Sequence, residues 1–117
     1  MNIEEFRLYC LKKKGVTEEF PFDQNTLVYK VMGKMFALTD ITSFNSVNLK
    51  CDPEQAVELR EEYDYVRPGF HMNKKHWNTI DITWNLEDAL LNQWIDDSYY
   101  LVVKTLPKKM KETLKNL

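Results

Sequence analysis

The sequence predicts an α+β domain in two layers, an antiparallel sheet of five strands with helices packed on one face. Three observations predict it. Apolar and polar residues alternate through much of 27–40 and again through 46–51, the period of a half-buried strand. Segments with helix caps and a 3–4 apolar spacing stand before, between and after those strands. The joins near Gly33 and near Asn73–His76 are short, which makes neighbouring strands antiparallel. At 117 residues the chain has the size of one domain spanning 1–117, since each half alone is too small for a good core.

The elements follow in order. Asn2 followed by Glu5 has the form of a capping box, Ile3, Phe6 and Cys10 give a helical stripe, and Gly15 is a natural stop. The first helix is therefore placed at about 2–14, with Lys12, Lys13 and Lys14 where the helix dipole favours cations. Residues 16–26 read as a connector. A hairpin follows, with Gly33 opening a two-residue turn, so that Val31 is expected opposite Phe36, Tyr29 opposite Leu38 and Lys30 opposite Ala37. A third strand is expected at 46–51. Asp52 and Pro53 start a second helix that runs to about residue 63. A second hairpin is expected over Phe70–Met72 and Trp77–Ile82. Asn85 is the expected cap of a helix over 86–94, interrupted at Asp97–Tyr100, with more helix beyond and a last basic helix ending near residue 115. Trp77, Trp84 and Trp94 are read mainly as core residues.

Composition narrows the function by exclusion. No apolar run approaches the roughly 20 residues of a membrane span, and the N-terminus does not read as an export signal. A reduced, cytoplasmic monomer with free Cys10 and Cys51 is the expectation. The net charge is −2, but it is segregated: 52–64 and 81–97 each carry −5, whereas 65–80 carry +3 and 98–117 carry +4. Nucleophilic catalysis finds no support. The serines lack a nucleophile-elbow setting, the cysteines fall on apolar phases, and no Gly-rich phosphate loop occurs. No cofactor is expected.

The stretch Arg67–Thr79 concentrates both histidines, two lysines and an arginine. With a turn of only Asn73-Lys74, His71 and His76 face each other with Cβ atoms about 5 Å apart; with a turn of Asn73–His76 they do not. Two histidines without a third ligand do not define a metal site. Structure-keeping roles are expected for this stretch, with Gly69 allowing a backbone turn and Asn73 bonding its own loop. Trp77 follows Lys74, Lys75 and His76 directly, and a basic loop beside an aromatic suits a nucleic-acid strand.

The chain resembles the MmcQ/YjbR family of small bacterial proteins. The resemblance rests on Phe20-Pro21-Phe22, on Tyr29-Lys30-Val31 with Gly33–Ala37, and on Leu49–Pro53 with Leu59-Arg60-Glu61. Its most specific part is Pro68-Gly69-Phe70-His71-Met72-Asn73-Lys74-Lys75-His76-Trp77-Asn78-Thr79, and Leu101–Val103 with Leu106–Lys109 extend it. Phe70 stands where the family usually has Tyr. The resemblance implies a fold similar to the secretion-chaperone-like and CyaY-like arrangements. It also implies DNA binding through a double wing formed by the two hairpins, and no enzyme activity. Lys30, Lys34, Arg67, Lys74 and Lys75 are then the expected phosphate contacts, giving weak, salt-sensitive binding. The alternative is a protein-interaction or chaperone-like adaptor that uses the sheet or the acidic helices.

Overall fold

Local chemistry sets the helix starts in the computed structural model, which describes residues 1–117. Helix α1 (Ile3–Leu11) opens on a complete capping box: the Glu5 backbone N–H donates to Asn2 Oδ1 at 2.8 Å, and the Asn2 N–H donates to Glu5 Oε1 at 3.0 Å. Helix α2 (Pro53–Glu62) opens on Asp52, with Pro53 in its first turn.

The sheet has six strands, not five: β1 (Val16–Glu19), β2 (Thr26–Val31), β3 (Lys34–Asp40), β4 (Ser46–Lys50), β5 (Val66–Pro68) and β6 (Trp77–Asp81). They pair antiparallel in the order β1-β2-β3-β4-β6-β5. The extra strand, β1, lies in the stretch read as a connector. It is an edge strand with little apolar alternation, held by its ladder to β2 and by Arg7, which donates to both carboxylate oxygens of Glu18 at 2.8–3.1 Å.

The first hairpin turns one residue earlier than expected. Met32 and Gly33 both have positive φ (49° and 85°), as a type I′ turn requires, so Val31 pairs with Lys34 and Lys30 with Met35. A bulge at Phe36 then brings Tyr29 opposite Ala37 and Val28 opposite Leu38. The bulge puts both Phe36 and Ala37 into the helix-side core, which strict alternation forbids. The second hairpin also differs. Its first strand is β5, upstream of Phe70, and the pairing of Pro68 with Asn78 leaves 69–76 as the loop. His71 and His76 are therefore not cross-strand partners.

Helix α3 (Asp88–Lys104) runs unbroken through Asp97–Tyr100, where a break was expected, and Asn85 does not cap it. Ser98 explains the continuity. Its hydroxyl donates to the Phe36 carbonyl and accepts from the Lys50 N–H, tying α3 to β3 and β4. Helix α4 (Lys108–Lys115) follows, anchored by the buried Leu114. Phe6, Tyr29, Phe36, Leu91, Ile95 and Val102 lie in one core between the sheet and the helices. The opposite sheet face carries only a small cluster of Val28, Leu38 and Trp77. Trp84, expected in the core, is instead 94% exposed in the β6–α3 connection.

Strand directions sort the charge. β2, β4 and β5 run toward one end of the sheet, so the β2–β3 turn, the start of α2 and the 69–76 loop all lie there. The Lys34 ammonium reaches the Thr105 carbonyl at 3.5 Å, and Leu114 packs at Gly15, so the C-terminal ends of α1 and α3, and α4, share that end. The N-terminal amine pairs with Asp88 at 3.0 Å at the other end, where α3 begins. Glu62 and Glu87 both act on Tyr63 there, raising its pKa after the larger contribution of burial. One pole of the molecule is rich in lysine and the other is acidic.

Candidate nucleic-acid interface

The hairpin cations are mostly engaged within the chain. Lys30 forms an ion pair with Glu19. Arg67 donates to both oxygens of Asp81 at 2.9 and 2.7 Å, and this bond raises its pKa. Lys34 donates to the Thr105 carbonyl, and Lys74 donates to the Gly69 carbonyl at 2.9 Å. Lys75 has no bonded partner, but it shares a shallow recess with Glu54 and Glu58 of α2.

The 68–79 stretch owes its shape to a small set of contacts. Asn73 Oδ1 accepts from the N–H groups of Lys75 (2.9 Å) and His76 (3.3 Å), closing its own turn as the sequence suggested. The Arg60 guanidinium donates to Asn78 Oδ1 at 2.7 Å and to the Lys74 carbonyl, locking the loop to α2. Asn78 is buried and donates to the Ala56 carbonyl at 3.3 Å. Thr79 Oγ1 donates to Asn48 Oδ1 and accepts from the Phe70 N–H. Gly69 is required by close approach and not by a left-handed turn: a Cβ there would stand 2.8 Å from Trp77 Cβ and 2.9 Å from its carbonyl oxygen. The left-handed residue is His71, at φ 58°. Its ring centroid is 4.0 Å from that of Phe70, and neither imidazole forms a hydrogen bond. Trp77 is buried against Val28 and Leu38, with Met72 packed beside them and Pro68 on the sheet edge.

Sequence reasoning did not single out the lysines at the helix end of the same pole. Lys13, Lys14, Lys111 and Lys115 surround a groove of about 390 Å³ with Tyr99, Tyr100, Val103 and Leu114. Lys13 is held on Asp96, which also accepts from the Tyr9 hydroxyl at 2.8 Å. Burial and that bond push the Tyr9 pKa up to about 12. Lys14, Lys111 and Lys115 are exposed and belong to none of the ion pairs of the structure. The available signal was the +4 block over 98–117 together with Lys12–Lys14; what the sequence lacks is the packing of α4 beside the end of α1.

A second concavity, of about 670 Å³, lies on the sheet face away from the helices. Leu38, Asn48 and Ser46 line it together with Phe22 and the Phe70–Met72 loop. Phe22 and Phe70 are each more than 60% exposed. The thiols are poorly suited to nucleophilic chemistry, because burial pushes Cys51 up to about 11 and Cys10 further still.

An open antiparallel sheet backed on one face by helices, with a conformationally locked β5–β6 loop, defines a class of small α+β domain. The chain belongs to the YjbR family, whose model matches residues 11–101. It is 33% identical to YjbR of Escherichia coli K12 over 118 residues, covering 100% of both chains. It is 37% identical to YbdF of Escherichia coli O157:H7 over 91 residues, covering 77% of this chain and 75% of that one. The crystal structure of Deinococcus radiodurans protein DR2400 superposes with a TM-score of 0.90 at 38% identity, over 97% of this chain and 88% of that one.

Proposed function

We propose that the protein is a nucleic-acid-binding module whose contact surface is the lysine pole. The observation that carries the reading is the contrast in partnering at that pole. Lys14, Lys111 and Lys115 project with no carboxylate bound to them, whereas the hairpin cations bond internally or face glutamates. The geometry thus favours a different set of phosphate contacts from the wing residues expected from the sequence. Three contacts give a fall in log K of roughly 3 per log unit of salt on duplex DNA. Fluorescence anisotropy with a labelled duplex at two salt concentrations tests the reading. Saturable binding should weaken at least about tenfold in Lys111→Glu/Lys115→Glu, and absence of binding by the native chain to both this duplex and a labelled single strand at low salt contradicts it.

A second reading, a protein-interaction adaptor, is favoured by the 670 Å³ groove between Phe22 and Phe70. Exposed aromatics beside a concave floor are the usual anchors of a bound polypeptide.

A further inference from the structure

We infer that the groove beside α4 takes single-stranded nucleic acid in preference to duplex, with a base stacked on Tyr100. The inference rests on the reading of the lysine pole as a nucleic-acid surface and adds the form of the ligand. The groove combines two features in one place. Lys111 and Lys115 stand one helical turn apart on α4, and Lys14 lies across from them at the end of α1. Between these cations Tyr100 keeps 63% of its surface exposed, an unusual degree for a large aromatic in a helix that is otherwise well packed. Its orientation is set from below. Tyr99, buried and donating its hydroxyl to the Lys14 carbonyl at 2.6 Å, meets the Tyr100 ring edge-on at a centroid distance of 5.2 Å.

Cations that track a backbone beside an exposed ring form the arrangement that binds single strands without sequence preference. All four cations of the groove, Lys13 on Asp96 included, are lysines, point charges that suit phosphates and do not provide the bidentate fork that reads base edges. The groove volume of about 390 Å³ is at the small end of ligand pockets. It therefore fits about one nucleotide and not the body of a duplex. A duplex meets the same lysines only at the rim, because its bases reach Tyr100 only after leaving the stack. An acidic polypeptide would satisfy the lysines equally well but would make no use of Tyr100, so the ring decides between the two ligands.

The test uses the full-length protein and two fluorescein-labelled probes, a 12-nucleotide oligo(dT) and a 12-base-pair duplex, in anisotropy titrations at matched salt. Oligo(dT) should bind at least about fivefold more tightly, with log K falling by roughly 2 per log unit of salt. Tyr100→Ala should weaken oligo(dT) about tenfold and leave duplex affinity within about twofold, and Tyr100→Phe should restore oligo(dT) binding. Because Tyr100 is exposed, these variants keep the fold, which far-UV circular dichroism verifies. If neither probe binds, the nucleic-acid reading itself falls. If the duplex binds and oligo(dT) is no tighter, or Tyr100→Ala changes nothing, only the single-strand inference is overturned. Displacement of oligo(dT) by polyglutamate at equal charge concentration, unaffected by Tyr100→Ala, assigns the groove to acidic polypeptides instead and overturns the inference as well.

Discussion

The lysines of the 69–76 loop and those of α4 lie at the same end of the molecule and carry the same charge, yet their surroundings oppose each other. Lys74 bonds the Gly69 carbonyl, Lys75 faces Glu54 and Glu58, and Arg60 crosses from α2 to hold the loop backbone. On α4, Leu114 alone is buried; Lys111 and Lys115 extend over a groove with no acidic lining residue, and Lys111 also borders a recess that Asp97 lines without forming an ion pair with it. The loop's charges contribute to its conformation; those of α4 contribute little to the fold and remain available. A charged run in sequence therefore says nothing about availability until its neighbours are known. Exposed ion pairs add only about 0–1 kcal/mol to stability, but they do lower the net field that a phosphate would meet.

Three sets of variants test this contrast. The largest effect is expected from Arg60→Ala. It removes charge-assisted bonds to Asn78 and to the loop backbone and leaves the buried Asn78 short of a donor, at about 2–3 kcal/mol. Urea unfolding should read that loss, while affinity for the duplex should change less than about twofold. A large affinity change with little change in stability would reverse the assignment of the two regions. Next comes Lys111→Glu/Lys115→Glu, expected to weaken binding at least about tenfold and to leave the urea midpoint nearly unmoved. Arg67→Ala serves as its control and should alter affinity by less than about twofold, because the guanidinium already bonds Asp81.

The smallest effect concerns pH. Tyr9 holds its proton up to about 12 in the folded chain, against about 10 when free. The folded state therefore binds more protons than the unfolded state within that interval. The resulting stability is fully present below pH 10 and is lost as pH rises toward 12. Tyr9→Phe should flatten the decline of stability between pH 10 and 12 in urea titrations. An unchanged decline would mean that burial and the bond to Asp96 do not hold the Tyr9 proton in the folded chain.

Much of the architecture was legible where local chemistry decides it. The caps at Asn2 and Asp52, the turn near Gly33 and the self-bonded Asn73 each rest on neighbours within a few residues. Misreadings occur where distant partners decide. At the bulge, the Phe36 carbonyl accepts from Ser98 and its ring meets Tyr99 edge-on, contacts that come from across the core. The same contacts carry α3 through a stretch that reads as a break. β1 depends on the ladder it borrows from β2, and the exposure of Trp84 depends on a connection that no element covers. For the candidate site, the two basic blocks were visible in the sequence. That Lys14 and α4 enclose Tyr100, while Lys30 and Arg67 are each paired with a carboxylate, follows only from the tertiary packing.

In the proposed binding mode α4 and the end of α1 form the contact surface and the hairpin loops do not. Amide chemical-shift mapping of the 15N-labelled protein, titrated with oligo(dT) at low salt, tests it most directly. The largest shifts are expected at Lys14, Tyr100, Lys111 and Lys115, with 69–76 little changed. Shifts concentrated at Lys74–Trp77, or at Leu38, Asn48 and Phe70–Met72 with α4 silent, would contradict it.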